Sequence, residues 1–186
     1  MCRRFSLNPV DTKDFLSRKQ LYSPLTEELE TIPEGQALIL QGERQKYKLL
    51  TAKFGFYGRH KLIVNARIET VERKPIFASS FASRRCIVLA SKFYEFDRND
   101  LEQTFISRDG LIFLAGIYQY DRFVILTQKA NEAISFYHSR MPIALAEESI
   151  DAYLNLKASD NMSDEVMKLK RSRIEAVNAS DQLSLF

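Results

Sequence analysis

The sequence predicts an α+β protein with a compact, mostly antiparallel β core and a few flanking helices. Two observations predict this class. Runs rich in β-branched and aromatic residues follow one another closely between residues 37 and 127, as in successive strands. Turn-forming segments separate the runs, among them residues 41–43, residues 97–100 and Asp109-Gly110. Asp-Gly between two such runs is a strong hairpin signal, so neighbouring strands are expected to pair antiparallel.

The remaining elements are predicted on either side of this core. The pattern of residues 11–20 predicts a helix with Asp11 or Thr12 as its N-cap. Residues 21–35 are rich in Glu, Pro and Thr and are predicted to form a loop. Apolar residues on one face predict helices at 131–137 and 147–156, whereas residues 160–173 fit a helix or a solvated connection. We expect a single domain over residues 1–178 and a flexible tail over 179–186.

Composition and charge limit the classes to which the protein can belong. The 186 residues are 45% hydrophobic and 27% charged, which is typical of a globular domain with its own core. The net charge of +3 is compatible with a polyanionic partner without requiring one. Two cysteines make no disulfide framework and suggest a reducing compartment. No segment fits a signal peptide or a membrane span, so we expect a cytoplasmic monomer that binds no membrane.

Cys2 is the first residue that could carry chemistry. Removal of Met1 is expected because cysteine is small, and it would leave a free α-amine beside a thiol. The amine, with a pKa of about 7.7–8.0, is partly neutral near pH 7 and can attack an aldehyde to form a Schiff base. The thiol can then add to the imine and close a thiazolidine ring. A cysteine at position 2 is by itself also consistent with no special role.

Four further residues are candidates on local pattern. Asn65 and Arg67 alternate with apolar residues, which places them on one face of a strand that is either functional or merely solvated. Glu95 lies among aromatic residues, where a partly desolvated carboxylate suits acid–base work; it also fits a surface position between a turn and a strand. His138 closes the predicted helix at 131–137. Two histidines and two cysteines argue against a zinc site, and we expect no metal or other cofactor.

Several short motifs occur in a fixed order, and together they resemble the SRAP family (SOS-response-associated peptidases, or abasic-site processing proteins). The similarity runs from residue 2 to about residue 145. The motifs are Met1-Cys2-x-Arg4-Phe5, Asn65-Ala66-Arg67-x-Glu69, Phe93-Tyr94-Glu95-Phe96, Thr127-x-x-Ala130-Asn131 and His138-x-Arg140-Met141-Pro142. The resemblance implies a β-rich domain with a groove for single-stranded DNA, which captures the aldehyde of an abasic site as a thiazolidine.

The resemblance also implies a role for each matching residue. Cys2 would be the nucleophile through its amine and thiol, Asn65 would orient the N-terminal residue, and Glu95 would transfer protons. His138 would act as an acid or base on the sugar. Family members that carry an N-terminal extension remove it themselves through the same cysteine. Phosphate contacts and base stacking are expected from Arg4, Arg67, Arg84, Arg85, Arg140, Phe54 and Phe93.

The chain departs from the family pattern at several positions. Arg3 stands where the family usually has glycine, and an arginine there would either crowd the DNA backbone or bind a phosphate. Lys92 replaces another glycine, and the chain has no tryptophan, although the family carries tryptophans near its groove. The smaller aromatic rings would weaken stacking on bases rather than abolish it.

The last five residues resemble the short peptide by which bacterial repair proteins bind the sliding clamp. Leu185 and Phe186 would enter an apolar pocket, with Leu183 beside them and Gln182 bonding at the rim. This partner would bring the protein to the nucleoid and the replication fork of a bacterium. A tail that packs on its own domain is the other interpretation.

Two alternatives to an abasic-site crosslinking protein remain open. Cys2 could be the N-terminal nucleophile of a peptidase that acts on other proteins. The chain could also be a non-catalytic protein that binds single-stranded DNA and has lost its activity.

Overall fold

The computed structural model describes residues 2–43, 46–159 and 161–177. Within these ranges, mostly antiparallel strands form three sheets, with short helices packed around them. The strands are β1 (Arg4–Leu7), β2 (Leu29–Thr31), β3 (Gln36–Glu43), β4 (Lys46–Phe54), β5 (Phe56–Tyr57), β6 (Leu62–Ile63), β7 (Asn65–Arg67), β8 (Arg85–Ala90), β9 (Lys92–Phe96), β10 (Glu102–Ser107), β11 (Ile112–Gln119), β12 (Arg122–Lys129), β13 (Arg140–Pro142), β14 (Ala144–Leu145) and β15 (Ile174–Ala176). The helices are α1 (Pro9–Arg18), α2 (Pro75–Ser83), α3 (Glu132–Ser135), α4 (Ile150–Leu154) and α5 (Met162–Lys168), with 3-10 turns at Ile68–Thr70 and Glu147–Ser149.

The largest sheet closes on itself into a small barrel. Strand β12 pairs with β4, β4 with β3, β3 with β8, β8 with β11, and β11 again with β12. Only the β12–β4 pair of this ring is parallel. Strands β7, β13 and β14 extend the sheet, and β7 also runs parallel to β12. Closure leaves few free edges and gives strand ends at which loops from distant parts of the sequence meet.

The second sheet packs its inner face on the barrel. Its order is β15-β10-β9-β1-β2, and all its neighbouring strands are antiparallel. Phe5 of β1 packs edge-on against Phe54 and Phe123 of the barrel, with ring centroids 5.5 and 6.4 Å apart. On the same sheet, Phe93 stacks on Phe105 at 5.1 Å. Aromatic packing therefore anchors the N-terminal strand against the barrel.

The predicted class is confirmed, but the predicted Asp109-Gly110 hairpin is wrong. The turn itself is present, since Ser107 bridges to Gly110, which has a φ of +92°. The strands on either side nevertheless join different sheets: β10 pairs with β9 and β15, whereas β11 pairs with β8, β12 and β14. The turn therefore carries the chain from one sheet to the other.

The helices follow the predictions with shifted boundaries. Asn8, rather than Asp11 or Thr12, caps α1 by accepting a hydrogen bond from the Val10 amide, and Pro9 follows at the first helical position, which proline favours. The predicted loop at 21–35 contains β2, and α5 lies in the ambiguous segment at 160–173. No element was predicted where α2 lies. Within the described ranges, no helix is both long and apolar enough to span a bilayer.

Candidate functional site

Cys2 lies in the core immediately before β1. Its side chain is buried, and its Sγ lies 3.9 Å from the Arg4 carbonyl oxygen. Burial raises the pKa of the Cys2 thiol well above its usual value, and the negative charge of Glu95 raises it further. The thiol is therefore protonated at neutral pH, and Glu95 is close enough for its charge to act on it.

Asn65 holds the backbone of Cys2. Its Nδ2 donates a hydrogen bond of 2.9 Å to the Cys2 carbonyl oxygen, across 63 positions of sequence. Strand β7 positions Asn65 through its parallel pairing with β12, where Asn65 lies opposite Ile125. The Asn65 Oδ1 atom is buried, and no group in the described ranges donates a hydrogen bond to it. Asn65 thus fixes the direction of the Cys2 peptide group.

Glu95 is buried because of strand alternation. Along β9, Phe93 and Glu95 face inward, while Tyr94 and Phe96 face outward. The pairing of β9 with β1 places Glu95 beside the residues that precede β1, because Arg4 pairs with Tyr94 and Phe5 with Phe93. Burial raises the pKa of the Glu95 carboxyl, whereas the nearby His138 acts to lower it. An inward carboxyl at the end of a strand is thus both desolvated and next to the residues that precede β1.

His138 follows α3, which Asn131 caps by accepting a hydrogen bond from the Ile134 amide at 3.1 Å. The His138 Nδ1 atom contacts the backbone of Arg140, 3.0 Å from its nitrogen and 2.9 Å from its oxygen. These contacts fix the orientation of the imidazole ring through Nδ1. The structure thus brings together four residues that the sequence singled out separately.

Two cavities meet at this cluster, and Arg3 and His138 line both of them. The smaller cavity, about 420 Å³, is also lined by Arg4, Tyr94, Glu95 and Phe96. The larger cavity, about 920 Å³, combines basic or polar side chains with an apolar wall. Its remaining lining residues are Lys61, Leu62, Ile63, Val64, Asn65, Arg67, Lys74, Ile76, Phe77, Ser139 and Arg140. Basic groups above an apolar surface suit the backbone and bases of a single strand.

Three of the predicted phosphate-binding arginines line these cavities. Arg67 is exposed in the larger cavity, and no ion pair with another described residue involves it. Arg140 lies in the same cavity but forms an ion pair with Glu69 at 2.6 Å. Arg4 lines the smaller cavity, forms an ion pair with Glu102 at 2.7 Å and covers the Tyr94 ring. Arg67 therefore has the most accessible charge of the three.

The prediction for Arg85 is wrong, and Arg84 lines neither cavity. The Arg85 guanidinium is buried and donates hydrogen bonds to the carbonyl oxygens of Phe81 at 2.6 Å and Tyr153 at 2.9 Å. It thus satisfies backbone acceptors at the ends of α2 and α4 and is unavailable to DNA. Arg84 ends α2 and donates to the Ser79 hydroxyl at 2.9 Å.

The prediction that Phe54 and Phe93 stack on bases is also wrong. Both rings are fully buried. Phe54 stacks on Phe123 in the barrel, and Phe93 stacks on Phe105. The exposed aromatic residue of the smaller cavity is instead Phe96, which is 56% exposed. The period of two along β9, with Phe93 inward, could have indicated this from the sequence.

Sequence reasoning also missed Lys61 and Lys74, which the fold brings to the larger cavity. Lys61 lies just before β6, and Lys74 is the N-cap of α2. The local sequence around a lysine in a loop does not indicate which cavity that lysine will line.

The residues predicted to bind the sliding clamp lie outside the described part of the chain; they are Gln182, Leu183, Leu185 and Phe186. Within the described ranges, no group of three or more His, Cys, Asp and Glu side chains is arranged to hold a metal ion.

Residues 1–184 match the family described as SOS response associated peptidase (SRAP). The chain is 34% identical over 112 residues to the abasic site processing protein YoqW of Bacillus subtilis strain 168, which covers 53% of this chain and 50% of that protein. It is 33% identical over 112 residues to the abasic site processing protein YobE of the same strain, covering 53% of this chain and 51% of that protein. The matched segments thus span about half the length of these relatives.

Solved structures share the fold over nearly the whole chain. A protein from Bacteroides thetaiotaomicron superposes with a TM-score of 0.72 at 16% identity, covering 96% of this chain and 93% of that one. A phage-related protein from Bordetella bronchiseptica superposes with a TM-score of 0.72 at 17% identity, covering 95% and 94%. At this identity the likeness concerns the fold alone.

Proposed function

The chain belongs to the SOS response associated peptidase family, and from this premise we propose that it processes abasic sites in single-stranded DNA through a covalent bond to Cys2. One observation carries the proposal: Asn65 bonds to the Cys2 backbone, the charge of Glu95 acts on the Cys2 thiol and that of His138 on Glu95, and these three neighbours line two cavities that meet beside the buried Cys2. The names of the relatives, abasic site processing proteins, support the choice of substrate.

The proposed reaction begins once Met1 has been removed and the Cys2 nitrogen has become an α-amine. The neutral amine attacks the C1′ aldehyde of the ring-opened sugar and forms a carbinolamine. Loss of water gives an imine. The Cys2 thiol then adds to the imine carbon, its proton passes to the nitrogen, and a thiazolidine ring closes. One new C–N bond and one new C–S bond form, one water leaves, and no oxidant or metal is needed.

The burial of Cys2 fits this order of events. A protonated thiol leaves the amine as the first nucleophile, because the amine titrates closer to neutral pH. The thiol is needed only after the imine has formed. It then adds to an imine on its own residue, a step that proximity strongly favours. In the finished ring, the buried sulfur would be shielded from exchange with other thiols.

Each neighbour has a role that its geometry supports. Asn65, bonded to the Cys2 carbonyl, would hold the residue, and with it the amine, in one orientation. Glu95 has a pKa raised by burial, so it binds a proton more readily than an exposed carboxyl and suits proton donation to the departing hydroxyl of the carbinolamine. His138, tethered through Nδ1 and lining both cavities, acts on the sugar as an acid or base that opens the ring or assists reversal. On the DNA side, Arg67 and Lys74 would bind phosphates and Phe96 would stack on a base.

The test is incubation of the purified protein with an oligonucleotide that carries one abasic site, followed by intact mass spectrometry. The expected adduct weighs the sum of protein without Met1 and DNA, less one water. Cys2→Ser should give an adduct only when borohydride reduces the imine, because its hydroxyl is a far weaker nucleophile. Cys86→Ser is the matched control, since Cys86 is equally buried, and it should crosslink like the wild type.

Two other outcomes would change the assignment. Cleavage of peptides without any DNA adduct would favour a peptidase that uses the same Cys2. Tight DNA binding that gives no adduct and survives Cys2→Ala would favour a non-catalytic binding protein.

We also propose that residues 182–186 bind the bacterial sliding clamp, as the sequence Gln182-Leu183-Ser184-Leu185-Phe186 suggests. This partner would bring the protein to replication forks. A chain lacking residues 182–186 should lose the clamp in a pull-down and keep its reaction with abasic DNA. Retention of the clamp by the truncated chain would exclude this segment as the binding site.

A further inference from the structure

Arg3 lies where the two cavities of the site meet. It is exposed, lines both cavities and directly follows Cys2. Adjacent Cα atoms are about 3.8 Å apart, so a sugar bonded to Cys2 lies within reach of the Arg3 side chain. A single strand that enters one cavity and leaves by the other has to pass this residue.

The charge of Arg3 is available, in contrast to that of its neighbour Arg4. Arg4 forms ion pairs with Glu102 at 2.7 Å and Glu30 at 3.6 Å, and it packs over the Tyr94 ring. Within the described ranges, Arg3 has neither an ion pair nor a side-chain hydrogen bond. The two arginines are consecutive, yet only one is neutralised by carboxylates. An unpaired guanidinium retains all its donors for an incoming anion.

Arg140 provides a second contrast in the larger cavity. Its guanidinium is bidentate to Glu69 at 2.6 and 2.9 Å and also donates to the Thr127 carbonyl at 2.8 Å. A phosphate that approached Arg140 would compete with Glu69. Arg3 meets no such competition among the described residues, and it is closer in sequence to the reacting residue.

We propose, resting on the function proposed above, that Arg3 is a positioning residue that binds a phosphate flanking the abasic sugar. A guanidinium matches two phosphate oxygens in a fork-like geometry. That contact fixes the strand as it turns from one cavity into the other, and it presents C1′ to the Cys2 amine. Arg3 touches the DNA backbone rather than the reacting atoms, so its effect is on DNA binding and register.

The first experiment measures binding to a single strand whose abasic site is reduced and therefore has no aldehyde. Arg3→Ala should weaken binding about fivefold at moderate salt. The slope of log affinity against log salt should become shallower by about 0.7, the value for one phosphate contact on a single strand. Lys13→Ala is the matched control: it removes one exposed positive charge from α1 and should leave affinity and slope unchanged.

The second experiment identifies the phosphate. Each of the two phosphates that flank the reduced abasic site is replaced in turn by an uncharged methylphosphonate. One replacement should weaken binding by the wild type but have little effect on Arg3→Ala, because the two changes remove the same contact and are not additive. Arg3→Lys should retain the salt slope and recover part of the affinity, since it keeps the charge and loses the fork.

The outcomes separate this proposal from the reaction itself. An unchanged salt slope in Arg3→Ala, or additive losses at both phosphates, would overturn the role of Arg3 even if the protein crosslinks abasic DNA. A wild type that never crosslinks would overturn the proposed reaction, whereas the binding experiments use no aldehyde and would still decide for or against Arg3. With reactive DNA, Arg3→Ala should need more DNA for half-maximal rate and reach the same maximal rate.

Discussion

The two cysteines are equally buried in the same part of the core but differ in their polar neighbours. Burial raises the pKa of both the Cys2 and the Cys86 thiol. Cys86 lies inside β8, opposite Gly116 of β11, and its backbone is part of the barrel ladder. Cys2 precedes β1, carries the Asn65 hydrogen bond and is influenced by the charge of Glu95. Burial therefore does not distinguish the proposed nucleophile from Cys86; its polar neighbours and its position before β1 do.

The largest effect is expected from a change that places the Cys2 nitrogen permanently in a peptide bond, as the Cys86 nitrogen is. An added N-terminal segment that is not removed keeps the Cys2 nitrogen in an amide, which cannot form an imine. The thiazolidine adduct should be lost completely, as judged by intact mass spectrometry. The same segment placed at the C-terminus is the control and should leave the adduct intact. Normal adduct formation in the N-terminally extended chain would contradict the role of the amine.

The next largest effect is expected at Glu95, the carboxylate whose charge acts on the Cys2 thiol but not on the Cys86 thiol. Glu95→Gln should slow crosslinking about 100-fold, because it removes a general acid. The reaction needs a neutral amine, whose pKa is about 8, together with a protonated Glu95 carboxyl, whose pKa is raised by burial. The wild-type rate should therefore rise with pH, level off as Glu95 loses its proton, and fall at alkaline pH, where the amine is already neutral and the protonated carboxyl becomes ever rarer. The variant should lack the falling limb in a pH–rate profile; a falling limb that persists would assign it to another group.

A smaller effect is expected from removing the hydrogen bond to the Cys2 backbone. Asn65→Ala loses the 2.9 Å bond to the Cys2 carbonyl, which is worth about 1 kcal/mol. Crosslinking should slow about tenfold as the amine loses its orientation. Asn155→Ala, which removes only a local hydrogen bond to the Asp151 carbonyl in α4, is the matched control. Equal crosslinking rates in the two variants would argue against an orienting role for Asn65.

The smallest effect on the reaction is expected at Cys86. Cys86→Ala leaves a cavity inside the barrel and should lower the free energy of unfolding by about 1–2 kcal/mol, measured by urea denaturation. Its crosslinking rate should equal that of the wild type at temperatures where both are folded. A slower reaction in a fully folded Cys86→Ala protein would show that the two cysteines are not functionally separate.

The errors of sequence reasoning have a common physical origin. Phe54, Phe93 and Arg85 carry side chains that suit DNA binding, but all three point inward. The local sequence indicates this only for Phe93, through the period of two along β9. The two rings fill the space between the barrel and the second sheet. Arg85 is buried because two helices end beside it, and that arrangement depends on the packing of α2 and α4 against the barrel.

The sequence by itself determined the class of fold, since residue pattern controls which segments become strands and helices. It also predicted which residues carry the proposed chemistry, because Cys2, Asn65, Glu95 and His138 lie in recognisable motifs. Only the tertiary structure decided which charges remain free. Arg3 and Arg4 are neighbours in sequence, yet Arg4 meets Glu102 across the sheet and Arg3 does not. Such a pair depends on the distance between residues far apart along the chain, and here the pairing of β1 and β10 on either side of β9 sets that distance.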